Sequence, residues 1–189
     1  MVRVREVMKT HWKYAALPVF CASLLTVHIG QTAPFNILLY TLIVVFSYVT
    51  AIMDIKTRKI PNRLVLAMFA AWIIMITPYL FYDTSRAIEL LKDSALGCAI
   101  GGGMFLFVYL ISRKGLGGGD VKFMAAAGLY LGFGGVMAAM LSGTILAALT
   151  GVVLIILKRI GRKDAIPLAP FLFIGIFLTV FFLKRGELY

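Results

Sequence analysis

Residues 113–128 read RKGLGGGDVKFMAAAG. Two basic residues lead into a glycine-rich stretch, a single carboxylate and a run of small apolar residues. The change from charged to apolar side chains predicts a loop followed by a helix, with Asp120 in the first helical turn. A charged group at the start of an apolar helix is unusual, and the rest of the sequence indicates why it is there.

The composition determines the class of protein. The chain has 189 residues, of which 61% are hydrophobic and 14% are charged. A globular protein in water cannot hide so much apolar surface, so most of it must contact lipid or other helices. We therefore predict an all-α polytopic membrane protein with one domain, residues 1–189. The net charge of +11 is typical of basic loops beside membrane spans, and we favour that interpretation over nucleic-acid binding.

Seven apolar runs divide the chain, and most approach the roughly 20 residues that a helix needs to cross the hydrocarbon. The runs are 15–30, 36–53, 64–82, 95–112, 121–133, 136–157 and 165–183. The first is predicted as a retained span within residues 1–35, and residues 36–183 as the catalytic helical core. The run at 121–133 is short, so it is either a short buried span or a re-entrant helix. The pattern predicts a bundle of six to seven transmembrane helices.

Basic residues are unevenly distributed between the predicted loops. If all seven runs cross, 15 of the 19 Lys and Arg residues lie on the side of the N-terminus, in loops 1–14, 54–63, 113–122 and 158–164. Such an excess marks the cytoplasmic side, which predicts a cytoplasmic N-terminus. A re-entrant run at 121–133 would move 158–164 to the opposite side. We therefore favour seven spans, with the fifth short and shielded by its neighbours.

The eight acidic residues fall into two groups. Six lie in predicted loops near basic residues and are interpreted as solvated charges: Glu6, Asp83, Glu89, Asp93, Asp164 and Glu187. Asp54 and Asp120 instead adjoin apolar helices, both at the predicted cytoplasmic edge of the membrane. Ionisable groups at that depth are costly and usually face a protein interior or a wet cavity, so we predict a functional site. Taken singly, Asp120 could cap its helix, and Asp54 could pair with Lys56 or Arg58.

A pair of carboxyl groups has a chemistry that one alone lacks. Two carboxyls a few ångströms apart cannot easily both ionise, so one keeps a proton near neutral pH. The ionised group takes a proton from a water held between them, and the protonated group donates to a carbonyl oxygen. Water then attacks an amide without a covalent intermediate. Because the pair titrates as a unit, the sequence assigns neither residue as acid or base. This chemistry calls for no cofactor and no metal.

The glycines before Asp120 suit such a site. A backbone without Cβ atoms lets a peptide approach closely, permits φ above zero and allows movement. A phosphate loop is disfavoured because no Gly-Lys-Ser/Thr is present. The glycines at 97–101 and 128–132 have GxxxG spacing, which predicts close helix packing in the membrane.

Three stretches together resemble a known family. Gly117, Gly118, Gly119 and Asp120 fit the GxGD motif, followed by Val121-Lys122. Residues 54–62, DIKTRKIPN, resemble the first-aspartate motif of type IV prepilin peptidases and archaeal preflagellin peptidases. Residues 166–172, IPLAPFL, resemble the proline-rich start of that family's last span. The stretches occur in the family's order, so the chain is similar to a small member of these GxGD membrane aspartyl proteases.

The resemblance implies an aspartic endopeptidase of the cell membrane. It would remove the short basic leader of prepilin-like, preflagellin-like or pseudopilin precursors at the cytoplasmic face. Asp54 and Asp120 would be the catalytic pair, and the glycines at 117–119 would shape the second motif. Lys122 would either hold Asp120 or mark the membrane boundary. The implied partners are these precursors and membrane lipids, and no nucleic acid.

Larger members of the family also methylate the new N-terminus and carry paired CxxC motifs. This chain has only Cys21 and Cys98, both within apolar runs. Methyltransferase activity is therefore not expected.

Two other functions compete with leader removal. A presenilin-like protease shares GxGD but cuts inside membrane helices, whereas both acids here lie at span ends. A transporter or channel subunit would need carboxylates deep within spans and discontinuous helices in related halves, and the sequence has neither. A purely structural scaffold would leave the glycine–aspartate arrangement unexplained.

Overall fold

The computed structural model describes residues 22, 34–112, 116–159, 161 and 166–182. Within these ranges the chain forms helices and no strand, which confirms the all-α prediction. The helices are α1 (Pro34–Thr57), α2 (Asn62–Tyr82), α3 (Thr84–Ser112), α4 (Gly118–Ile156) and α5 (Ala169–Phe182). Helices α1 to α4 are long and apolar enough to cross a membrane, and α5 is a shorter apolar helix.

The number of spans is confirmed only in part. The run predicted at 15–30 lies outside the described residues, apart from Ala22. The runs predicted at 121–133 and 136–157 both lie in α4. Helix α3 begins at Thr84, so most of the stretch predicted as an outer loop before residue 95 is helical. A bundle of six to seven spans therefore stays a prediction.

Helix α4 is broken at Gly132, where φ is 64° and ψ is −171°, a conformation essentially restricted to glycine. A Cβ placed on Gly101 of α3 would lie 2.5 Å from the carbonyl oxygen of Met124 and 2.9 Å from Cγ2 of Val136. A straight helix would separate residues 124 and 136 by about 18 Å. The chain therefore turns back at Gly132. We call 118–131 the first arm of α4 and 133–156 the second arm.

The break frees backbone groups that would be costly to leave unpaired away from water. The Ser94 hydroxyl donates to the carbonyl oxygen of Leu129 at 2.7 Å, and the N–H of Phe133 donates to the Asp93 carboxylate at 3.0 Å. Two consecutive residues of α3 thus cap both sides of the break. The interpretation of Asp93 as a solvated loop charge is wrong, because its second carboxylate oxygen is buried against Gly132.

The first arm of α4 is packed on nearly all sides. Gly97 of α3 and Gly128 meet backbone to backbone, and a Cβ on either would overlap the other chain segment. This contact confirms the predicted close packing of the GxxxG stretches. Tyr130 is fully buried and its hydroxyl donates to the carbonyl oxygen of Met68 in α2 at 2.6 Å. The arm is short and shielded by its neighbours, as predicted, except in its first turns, where Gly118 and Lys122 are exposed.

Helix α5 lies between α1 and the second arm of α4. Gly175 fits against the backbone of Ala139 and Gly143. On the other side, the rings of Tyr48 and Phe173 meet edge to face with centroids 5.5 Å apart. This packing brings the start of α5 to the end of α1, where Asp54 lies.

Candidate active site

Asp54 occupies the last turn of α1 and is only 8% exposed. The helix ends at Thr57, since Arg58 takes a φ of 52°. A carboxylate oxygen of Asp54 accepts a hydrogen bond from the backbone N–H of Ala169 at 3.1 Å. Ala169 is the first residue of α5, and the following Pro170 has no N–H. The partial positive charge of a helix N-terminus therefore faces the Asp54 carboxylate.

Asp120 is the third residue of α4 and is 9% exposed. Its Oδ2 accepts a hydrogen bond from the N–H of Gly117 at 3.3 Å, so the residue does cap its own helix. Its Oδ1 is buried and has no hydrogen-bond partner among the described residues. Capping and chemistry are therefore compatible, because the cap uses one oxygen and leaves the other available to a water or a substrate.

Gly119, which precedes Asp120, packs against Ile60, six residues after Asp54, so both carboxylates lie at the same end of the bundle. Each also receives a backbone N–H from the first turn or N-cap of a helix, Asp54 from α5 and Asp120 from α4. In the described part of the chain, no group of three or more His, Cys, Asp or Glu residues could hold a metal ion.

The three glycines before Asp120 differ in what surrounds them. A Cβ on Gly117 would lie 3.0 Å from Oδ2 of Asp120, and a Cβ on Gly119 would lie 2.9 Å from Cβ of Ile60. A Cβ on Gly118 would meet only the ring of Tyr109, at 4.0 Å. Close contact therefore requires the third glycine, and a side chain at the first would be tight against the Asp120 carboxylate. Gly117 does not use the positive φ that a glycine permits, since its φ is −80°.

The ammonium group of Lys122 is bonded to a residue other than Asp120, and its predicted role at the membrane boundary stays a prediction. Its Nζ donates to Oδ1 of Asn62 at 3.0 Å. Asn62 is the first residue of α2 and belongs to the stretch DIKTRKIPN. Lys122 therefore connects the segment that carries Asp120 with the segment that follows Asp54.

Two contributors to the site were missed by sequence reasoning. The N–H of Ala169 holds Asp54, and the side chain of Ile60 packs on Gly119. A signal for the first was present, since the spacing of Pro167 and Pro170 is typical of a helix start with exposed N–H groups. No sequence signal marked Ile60, because its contact depends on how the turn after α1 folds.

An apolar groove of about 340 Å³ opens beside Asp54, between α1 and α5. Its walls include Ala51, one turn before Asp54, and Pro170, the residue after Ala169. Ile174 and Phe173 extend it along α5. The groove therefore lies next to the turn that carries Asp54, on the surface of the bundle.

Comparisons with known proteins place the chain in a family. A model of the type IV leader peptidase family matches residues 41–183. The prepilin leader peptidase/N-methyltransferase of Bacillus subtilis (strain 168) is 29% identical over 134 residues, which cover 69% of this chain and 50% of that protein. The protein of the same name from Pectobacterium carotovorum subsp. carotovorum is 34% identical over 140 residues, 69% of this chain and 46% of that protein.

The chain spans about half the length of the curated relatives it matches. No solved structure gives a significant match to it. The region matched by the family model contains both Asp54 and Asp120.

Proposed function

Because the chain belongs to the type IV leader peptidase family, we propose that it is an aspartic endopeptidase that removes the leader of prepilin-like precursors. The observation that carries the proposal is the buried pair of Asp54 and Asp120 at one end of the helical bundle. A carboxyl pair of this kind activates water for attack on an amide.

The hydrogen bonds suggest how the pair works. Ala169 holds one oxygen of Asp54 and Gly117 holds one oxygen of Asp120, so each carboxyl has a second oxygen for the reaction. A water between them gives a proton to the ionised carboxyl as its oxygen attacks the amide carbon. The protonated carboxyl donates to the carbonyl oxygen. The tetrahedral intermediate then collapses, the C–N bond breaks, and the departing amine takes a proton from the pair.

The cytoplasmic face is the proposed location of the reaction. Basic side chains surround the end of the bundle that carries the pair, on the last turn of α1, the following turn and the first turns of α2 and α4: Lys56, Arg58, Lys59, Arg63 and Lys122. Clusters of Lys and Arg beside membrane helices mark the cytoplasmic side. A leader that remains in the cytoplasm would reach the pair from this side.

The proposal is tested with the protein in defined vesicles and a prepilin-like precursor. Mass spectrometry of the product identifies the new N-terminus. We expect one cut directly before the apolar segment and no methyl group on the product when S-adenosylmethionine is present. A cut inside the apolar segment would instead favour a presenilin-like protease. An ion flux without cleavage would favour a transporter or channel subunit.

The groove beside Asp54 is proposed to hold the apolar helix of the substrate. Ile174 lines the groove and is 41% exposed. Filling it with the larger ring of Ile174→Trp is expected to raise KM about tenfold, which corresponds to the loss of one or two well-packed methylene contacts. The measurement is the dependence of the cleavage rate on precursor concentration in vesicles.

Ile145→Trp is the matched control, because Ile145 is 56% exposed on the second arm of α4 and does not line this groove. An equal effect of the two substitutions would show that bulk on the lipid-facing surface, rather than the groove, is responsible.

Alanine substitutions of Gly118 and Gly119 are expected to lower the cleavage rate to different extents. Gly119→Ala is expected to lower the cleavage rate about 10- to 100-fold, because the new Cβ would push the segment that carries Asp120 away from Ile60, and a shift of about 1 Å is enough for such a loss. Gly118→Ala should retain at least half of the activity, since its Cβ enters open space. Rates are compared at equal amounts of inserted protein. If both variants are equally impaired, backbone flexibility matters more than close contact.

A further inference from the structure

One short segment contacts the chain on both sides of Asp120. Ile60 packs against Gly119, where a Cβ would come within 2.9 Å of the isoleucine side chain. Two residues later, Asn62 accepts a hydrogen bond from Lys122 at 3.0 Å. We call residues 60–62 the clamp segment. Its two contacts flank Asp120, one residue before it and two residues after it.

The clamp segment is itself tied to Asp54. The N–H of Arg58 donates to the carbonyl oxygen of Asp54 at 2.8 Å, which closes the last turn of α1. The Thr57 hydroxyl contacts the carbonyl oxygen of Lys59 at 3.0 Å. At the other end, Pro61 is the N-cap of α2 and its carbonyl oxygen accepts from Leu64. The link from Asp54 to the clamp segment is therefore short and internally bonded.

The site needs such a link because its two carboxyl groups lie at the ends of different helices and must stay close enough to share one water. Both are buried. Helix α4 begins at Gly118, only two residues before Asp120, and the residue before the helix is Gly117. Because glycines hold the backbone weakly, this start of the helix is easily displaced. A displacement of about 1 Å is enough to cost about 100-fold in rate.

We propose that Ile60 and Asn62 are positioning residues, and that the clamp segment sets the distance between Asp54 and Asp120. Ile60 limits how far the chain at Gly119 can approach, and the Asn62–Lys122 bond prevents the start of α4 from turning away. Neither residue contacts the substrate in this scheme. The claim that this distance matters for catalysis rests on the proposed function. The claim that the clamp segment sets the distance does not depend on it.

The distance between positions 54 and 120 is tested by cross-linking, which requires no cleavage activity. Cys21 and Cys98 are replaced by Ala, Asp54→Cys and Asp120→Cys are introduced, and the rate of cross-linking by a short bifunctional thiol reagent is measured in membranes. Asn62→Leu and Lys122→Met are expected to lower this rate several-fold each. The double substitution should be no worse than either alone, because both remove the same bond. Lys122→Arg should retain the rate, since a guanidinium can also donate to Asn62.

Activity is measured in parallel on chains that keep both aspartates. Asn62→Leu should lower kcat about three- to tenfold with KM unchanged, and Ile60→Ala should lower kcat further. Arg63→Gln is the control, because Arg63 is an exposed neighbour in the same turn of α2. Since Asn62 and Lys122 are also exposed, their substitutions are not expected to prevent folding.

The outcomes separate the two proposals. Unchanged cross-linking in Asn62→Leu, Lys122→Met and Ile60→Ala would overturn the clamp, as would strictly additive losses or a change confined to KM. If cross-linking changes as expected but the unaltered protein cleaves no precursor, the clamp stands and the proposed peptidase function is wrong.

Discussion

Replacing either aspartate by asparagine is expected to lower the rate of leader removal about 1,000-fold or more. Loss of one proton-transferring group typically costs 10²- to 10⁴-fold, and here the same group also holds the attacking water. The substitution is nearly isosteric, and an amide oxygen can still accept the N–H of Ala169 at position 54 or of Gly117 at position 120. Asp54→Asn and Asp120→Asn should therefore fold and insert normally. The measurement is the appearance of the shortened precursor, followed by mass, at equal levels of inserted protein.

The control is Glu89→Gln, which removes an exposed carboxylate on α3 far from the pair in sequence and should leave the rate unchanged. The double variant with both aspartates replaced should be little slower than either single variant, because the two groups act as a unit. Normal cleavage by a correctly inserted single variant would contradict the paired-carboxylate mechanism. The transporter and scaffold interpretations would then become the stronger ones.

Gly132→Ala is expected to have the largest effect on folding. The backbone at this position, with φ of 64° and ψ of −171°, costs a residue with a side chain about 1–3 kcal/mol. The added Cβ would also overlap the Asp93 carboxylate, which caps the second arm of α4. The two effects act on the same turn, so we expect a lower melting temperature and a smaller folded fraction in detergent. Both are measured by fluorescence-detected size exclusion after stepwise heating.

Gly103→Ala provides the matched control for this substitution. Gly103 lies within α3, and a Cβ there would meet nothing within 4 Å. Alanine favours a helix interior over glycine by about 1 kcal/mol, so this variant should be as stable as the parent or slightly more stable. If Gly132→Ala had the same melting temperature as Gly103→Ala, the backbone at Gly132 would not require a glycine.

The sequence located the two aspartates because each adjoins an apolar run in a chain with few acids. It also placed a boundary at residues 134–135, close to the actual reversal at Gly132. It could not identify Gly132 itself, since several glycines lie nearby and hydropathy does not report φ. The role of Asp93 was hidden for a related reason. Its partner, the N–H of Phe133, is 40 residues away in the chain and becomes a neighbour only after α3 and α4 pack.

The details around the pair were also beyond the sequence. Lys122 was predicted either to hold Asp120 or to mark the membrane boundary. In the folded protein its side chain is long enough to reach another helix, and its Nζ donates to Asn62 rather than to Asp120. The boundary role stays a prediction. Which of the three glycines is needed depends in the same way on contacts, since only Gly119 faces Ile60 and only Gly117 faces the Asp120 carboxylate.

The bond between Asp54 and Ala169 has a consequence for the synthesis of the protein. Its two partners are 115 residues apart, on the first and last of the described helices. At about 5–20 residues per second, the ribosome needs roughly 6–23 s to proceed from one to the other. Until the last helix is inserted, Asp54 lacks this donor and the site is incomplete. If the proposed function holds, we therefore expect unfinished or truncated copies to leave the precursors in their membrane uncut.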